Sequence, residues 1–404
     1  MRKPKHREPT PIKKIEVPIR HFNLRVILLA IAIAIAAVAI GYGIYFALHK
    51  EPGWRNVEVT ADQMNCSSEF ILSYHFGTGK TDATTEYKQV ASVYTQATIE
   101  GYRLFNTEAE NSELSKVDDH PNEAVKIDPN LYTALEQIVK SGNRTIYLAP
   151  VNVEYQRVFS AEASVVAELY DPNVNEEAKK YVTELTAFLN DPKMINLELK
   201  GDNTVKLFVH KDLLSYAQKN EIDDYLDFGW MRNAFVIDYL AQKLKDSGHT
   251  KGYIASYDGF TRNLYEGDQT YSLNLFNRLG NDVYITGIMD YQGPMVIVSL
   301  RNYPMGNADR WHYYCYDNGF ITTAMIDPAD GMSKSSTNNV VAYSKTASCA
   351  QLLLKLAPVF VAEELDDQPL QNLAKQKIYC IWFEDGNMVA TDSKLSVRIP
   401  EETE

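Results

Sequence analysis

The sequence predicts an α+β fold in which a mixed sheet and packed helices form one large domain, preceded by a single transmembrane helix. Three observations predict it: capped amphipathic helices alternate with short strand-like runs, an Asp-Asn-Gly turn joins two aromatic segments, and one long stretch near the N-terminus carries no charge. With 404 residues, 45% hydrophobic and 23% charged, the chain has an ordinary globular composition.

From Val26 to Leu48 no Asp, Glu, Lys or Arg occurs, and these 23 residues would form a helix of roughly 34 Å, enough to cross a hydrocarbon core of about 30 Å. The apolar part of a cleaved signal peptide runs to about 15 residues, so the stretch reads as an anchor. Residues 1–25 hold eight basic side chains against two acidic ones, whereas only Lys50 and Arg55 follow the span closely. That excess places the basic tail in the cytoplasm and the rest of the chain outside it, as a single-pass protein of the cell membrane. The whole chain carries −13 and the tail +6, which leaves −19 on the remainder. Such a charge disfavours nucleic acid and anionic lipid surfaces as partners.

Residues 49–62 read as a linker and residues 63–400 as one domain without repeats or low-complexity tracts. Asp128 as N-cap and Pro129 at the first helical position open a helix on the stripe Leu131, Leu135, Ile138 and Val139, closed by Ser141-Gly142. A strand is expected over Thr204–His210. A second helix, Ala234–Lys245, follows the stripe Ile237, Leu240, Ala241 and Leu244 and stops at Gly248. Strands come next at Tyr253–Tyr257 and Met295–Leu300, then a hairpin of Tyr313–Tyr316 and Phe320–Met325 turned at Asp317-Asn318-Gly319. The last long helix, Ala347–Leu356, is expected to end before Pro358, and two strands, Ile378–Phe383 and Asn387–Thr391, close the domain.

Several chemistries lack their residue patterns. Phe76-Gly77-Thr78-Gly79-Lys80-Thr81 misses the first glycine of a phosphate loop and reads as a turn. The eight histidines show no metal-ligand spacing, and His312 reads as part of an aromatic strand. No Gly-x-Ser-x-Gly elbow is present for a serine hydrolase. Cys66, Cys315, Cys349 and Cys380 form no Cys-x-x-Cys pair; they read as small buried apolar side chains or as one or two disulfides.

Residues 226–238, Leu-Asp-Phe-Gly-Trp-Met-Arg-Asn-Ala-Phe-Val-Ile-Asp, carry the most specific signal. With Asn111-Ser112-Glu113-Leu114-Ser115-Lys116, Ile146-Tyr147-Leu148-Ala149-Pro150-Val151, Met325-Ile326-Asp327-Pro328-Ala329-Asp330-Gly331 and Thr346–Ala357, in that order, they resemble the ApbE-type FAD:protein FMN transferases over roughly Asn65 to Phe360. The resemblance implies a cleft for FAD, with Tyr147, Leu148, Asp227, Asn233 and Ile326 as cofactor-binding positions and the Trp230 carbonyl near a magnesium ion. It also implies transfer of FMN to a threonine on an extracytoplasmic partner protein. The chain departs from the family at the expected metal ligands, where Ala347 and Gln351 replace an aspartate and a threonine. Asn233 stands where the family has a cation, Ala324 where it has a histidine, and Tyr257-Asp258-Gly259 where it has Gly-Gly-Asp. Two functions follow from this: a divergent transferase whose metal site is rebuilt from Asp327, Asp330 or Asp258, or an inactive ApbE-like module that binds a ligand or partner in the cell envelope.

Overall fold

Apolar side chains on both sides of the central strands bury the main sheet on both faces. A computed structural model describes residues 22–48, 51–59, 68–265, 267–280, 282–306, 309–384 and 386–400, with side chains in the first stretch given for residues 27–43. The chain divides into two compact units, Met1–Glu51 and Pro52–Glu404. In the first, α1 (Phe22–Leu48) falls on the predicted span. Among the described residues no helix is long and apolar enough to cross a membrane, and the side chains of residues 22–26 and 44–48 lie outside those described. The basic tail up to His21 and Cys66 also lie outside the described residues.

The second unit begins with β1 (Gly53–Val57), β2 (Phe70–Phe76), α2 (Ala83–Phe105), α3 (Ser115–Asp118), β3 (Ala124–Lys126) and α4 (Pro129–Ser141). It continues through α5 (Ala149–Phe159), α6 (Ser164–Tyr170), α7 (Glu176–Leu189), β4 (Ile195–Gly201), β5 (Thr204–Val209), α8 (Lys211–Lys219) and α9 (Arg232–Asp246). Seven strands follow: β6 (Gly252–Ser256), β7 (Phe260–Asn263), β8 (Thr270–Leu279), β9 (Asp282–Gln292), β10 (Met295–Arg301), β11 (Tyr313–Cys315) and β12 (Ile321–Thr323). The chain closes with β13 (Asn339–Ser344), α10 (Cys349–Phe360), α11 (Gln368–Leu373), β14 (Tyr379–Glu384), β15 (Asn387–Ala390) and β16 (Val397–Arg398).

The main sheet runs in the order β1-β2-β6-β7-β10-β13-β14-β15, and every pair in it is antiparallel. The expected mixed sheet is thus corrected to an antiparallel one. A helix between two strands forces a parallel crossover only when the strands become neighbours in that sense, and here the chain leaves β2 through a whole helical lobe before returning as β6. On one face Val296, Val298, Leu300, Val340, Ala342, Cys380 and Trp382 join the large core with α2, α9 and α10. Their sequence neighbours Met295, Ile297, Val341, Tyr343, Ile381 and Phe383 point the other way and form a second core with Leu275 and Met289 of the β8–β9 hairpin. Two buried faces explain why Met295–Val298 is a continuous apolar run rather than an alternating one.

Local signals set several boundaries as expected. The Asp128 side chain accepts from the Asn130 N–H, Pro129 opens α4, and Gly142 ends it in the left-handed conformation at φ 72°. Two expectations need correction. The predicted linker contains β1, an edge strand whose Trp54 stacks on His75 with ring centroids 5.1 Å apart. Pro358 lies inside α10 instead of ending it. Proline at this point removes a single amide donor in the last turn, and Val359, Phe360 and Val361 are all buried there.

One carboxylate ties this architecture together. Asp238 on α9 accepts the Cys349 and Ala350 N–H groups, at 3.0 and 2.9 Å, and pairs with Arg262 on β7. Negative charge at the start of α10 also opposes the helix dipole favourably. Replacement of Asp238 with Ala is expected to cost about 2–4 kcal/mol, because it orphans two amides and the partly buried Arg262 together; urea unfolding measures it, and a loss below about 0.5 kcal/mol would refute this role.

Candidate functional site

Where the main sheet meets the helical lobe, the segment before α9 is pinned by hydrogen bonds rather than by regular structure. The Asp118 carboxylate accepts from the Tyr225 and Leu226 N–H groups at 3.0–3.2 Å, and the Asp227 N–H donates to the Ile146 carbonyl at 2.9 Å. Asp227 itself accepts from the Gly229 N–H and the Asn152 amide, both at 2.9 Å. This folds the chain into a 3-10 turn, Gly229–Met231, with Gly229 at φ 52°, and α9 starts directly after it. Asp227 is therefore first a turn-forming residue.

Around this segment lies a cleft of about 760 Å³. Its polar centre is a chain of four side chains: Arg232 donates to both Glu69 oxygens at 2.7 and 3.0 Å, and the Asn233 amide donates to Glu69 at 2.6 Å and to Asp258 at 2.9 Å. The Asp258 backbone is placed by the β6–β7 turn, where Gly259 has φ 107° and any Cβ would collide with the Ser299 carbonyl. Burial pushes the Glu69 carboxyl up, but the Arg232 guanidinium and the Asn233 amide outweigh it and hold its pKa below the usual value. Burial raises Asp258 above the usual carboxylate range, with Ser256, His312 and Asn233 opposing only in part. The two carboxyls are thus separated in character, Glu69 toward the anion and Asp258 toward the neutral acid.

Three side chains lining the cleft leave a buried polar atom without a partner: Trp230 Nε1, Asn233 Oδ1 and Asp258 Oδ1. Buried polar groups are rarely left so, and three in one cleft mark a demand for a polar ligand. The remaining charge is lopsided. Arg232 is neutralised by Glu69, and Arg301 by Asp309 at 3.2 Å, which leaves Glu108, Asp224 and Asp227 facing the same space. Burial, with Asp223, Asp119 and Asp227 nearby, raises the pKa of Asp224, as crowded negative charge must.

Of the sequence-predicted positions, Asp227, Trp230, Asn233 and Ile326 meet in this cleft. Tyr147 and Leu148 do not line it: the Tyr147 hydroxyl accepts from the Leu197 N–H at 2.9 Å, its ring lies under Arg144, and both residues are core. Ala347 and Gln351 stand at the start of α10, where the Gln351 side chain completes a capping box with Ser348. Asp327 and Asp330 are held by Lys334 at 3.1 and 2.6 Å and do not line the cleft either. Glu69, Asn152 and Asp309 carry no sequence signal of their own, Arg232 lies within the 226–238 motif without being among the predicted site residues, and His312, read as a strand residue, lines the cleft just before β11.

The donor set does not fit magnesium, which takes several hard oxygens in near-octahedral array. Ala347 offers no side-chain oxygen, the Gln351 oxygen accepts from Ser348, and among the described residues no group of three or more His, Cys, Asp or Glu side chains is arranged to hold a metal. Glu108, Asp224 and Asp227 line the same cleft without an ion-pair partner among the described residues, which disfavours a pyrophosphate there.

Solved ApbE structures share this architecture. The chain is similar to the ApbE protein of Thermotoga maritima, with a TM-score of 0.55 at 13% identity over 86% of this chain and 97% of that one. Against the flavin transferase ApbE of Vibrio cholerae the TM-score is 0.57 at 14% identity, covering 85% and 98%. The flavinyl transferase ApbE of Pseudomonas stutzeri gives 0.51 at 12% identity, covering 85% and 94%. The chain has the ApbE fold. No protein-family model and no curated protein sequence matches it.

Asp118 gives the site's support a pH signature. Burial pushes its carboxyl up to about 7, against the two N–H groups that favour the anion. Since the unfolded carboxyl ionises near pH 4, stability contributed by the protonated form is full below about pH 4 and is lost as the pH rises toward about 7. Asp118→Asn is expected to lack this decline, so its stability relative to wild type improves steadily between about pH 4 and pH 8. Parallel denaturation curves for the two proteins across that range would show the reading to be wrong.

Proposed function

We propose that this protein is a catalytically inactive ApbE-like binding module, held at the outer face of the cell membrane by its N-terminal helix. In this reading its cleft takes an uncharged heteroaromatic ring with an imide edge in place of the pyrophosphate of FAD. The observation that carries the reading is the charge balance of the cleft: among the described residues Glu108, Asp224 and Asp227 make no ion pair, and no metal-ligand set offsets them. Glu108 and Asp224 are exposed, so solvent screening holds each phosphate–carboxylate repulsion to about 1 kcal/mol or less, and the effect is their sum. Metal-dependent transfer of FMN to threonine has no support in such a site.

The three unpartnered atoms suit an imide. Trp230 Nε1 is a donor, Asn233 Oδ1 an acceptor, and Asp258, kept toward its neutral form, a second donor. An imide edge presents the complement, an N–H between two carbonyls, as in the isoalloxazine of riboflavin. The exposed rings of Trp311 and Tyr257 on the cleft wall offer surfaces for such a heterocycle. Anchoring and an extracytoplasmic position are supported by the uncharged stretch within α1 and the basic excess before it.

Riboflavin fluorescence quenching tests the assignment of atoms. Trp230→Phe, which keeps a large ring but removes the donor, is expected to weaken riboflavin about tenfold, the worth of one hydrogen bond. Affinity is expected to fall as the pH rises through the raised pKa of Asp258, and Asp258→Asn to flatten that profile; a pH-independent wild type would contradict the donor role. Restoring Ala347→Asp with Gln351→Thr is expected to add magnesium-dependent FAD binding, read by the same quenching. Unchanged FAD affinity would show that these two positions are not what the site lacks.

A further inference from the structure

Beside the cleft, α5 and α6 expose a continuous apolar surface that none of the described residues covers. Val165 is 67% exposed, Leu169 60%, Val153 49% and Val174 48%, with Val166 and Tyr170 also exposed. Only Ala167 of α6 is buried, together with Val158 and Tyr316 beneath it. Helical spacing makes the patch contiguous: Val165 and Leu169 stand one turn apart, as do Val166 and Tyr170. The Arg157 guanidinium lies over the Tyr170 ring at 5.6 Å, and Val153, one turn before Arg157, is at once part of the patch and of the cleft wall. The surface therefore runs to the cleft mouth.

We infer that this surface docks a polypeptide segment with apolar side chains flanked by lysine or arginine. Solitary exposed valines need no explanation, but six large apolar side chains joined on one short helix and its neighbours mark an interaction site. Charge selects the partner. Glu162 and Glu168 are exposed on either side of Val165 and Val166, among the described residues neither has an ion-pair partner, and Glu176 and Glu177 follow Val174. A second copy docked face to face would bring these glutamates together, and an anionic membrane surface would be repelled by them. A basic rim around an apolar centre is the complement. The inference is independent of what the cleft itself binds.

The test uses the full chain in phosphatidylcholine nanodiscs and two fluorescent amphipathic helical peptides of equal length, one built from leucine and lysine and one from leucine and glutamate. Anisotropy is expected to show saturable binding of the lysine peptide only. Val165→Asp with Leu169→Asp is expected to weaken it more than about tenfold, that is, by over about 1.4 kcal/mol. Glu162→Lys with Glu168→Lys is expected to admit the glutamate peptide instead. All four positions are exposed, so an unchanged thermal midpoint separates loss of docking from loss of folding. Equal binding of both peptides, lysine-peptide binding that survives Val165→Asp with Leu169→Asp, or self-association of the chain that those changes abolish would each overturn the inference; the last would make a second copy the occupant.

Discussion

The grip of Asp238 on the first two amides of α10 is the constraint on which the rest of this structure depends. Through the same carboxylate and Arg262 it joins α9, α10 and β7, the elements that carry one wall of the cleft and cover one face of the main sheet. Asp227 performs a similar service eleven residues earlier, closing the turn that aims Arg232 and Asn233 into the cleft. Both aspartates of the motif thus act through backbone geometry. A chain can keep both for folding alone.

Once α9 is placed, the electrostatics of the cleft follow from side chains that arrive from distant elements. Glu69 precedes β2, Asp258 sits in the β6–β7 turn, and Asn233 bridges them with one amide nitrogen. Because Arg232 holds Glu69 as an anion while burial holds Asp258 toward its neutral form, the centre of the cleft carries little net charge. Its margin carries Glu108, Asp224 and Asp227. The same acidity on the α5–α6 surface selects for basic partners, so one property of the domain, its excess of carboxylates, shapes both recognition sites.

What was legible in the sequence was local. The helix from Pro129 to Ser141 announced itself through its cap, its proline and its terminal glycine, and the hairpin at Asn318-Gly319 through its turn, although only Gly319 adopts a positive φ. Sheet orientation was not legible, because the signals for a strand say nothing about which strand will lie beside it. Likewise β1 was hidden in an apparent linker, and Pro358 was misread because burial of the residues around it outweighs one missing donor. In the site, Asp227, Trp230, Asn233 and Ile326 could be found because they share two ordered motifs. Glu69, Asn152, Asp309 and His312 could not, for they reach the site from elements far apart in sequence from the motif.

The most direct test of the account is calorimetric titration of the purified protein with riboflavin and with FAD, each with and without magnesium, followed by chromatography of the nucleotides. The account predicts that riboflavin binds at least about tenfold more tightly than FAD, that magnesium changes neither, and that FAD is recovered intact. Tighter, magnesium-dependent binding of FAD with release of AMP would contradict it and return the protein to the working transferases.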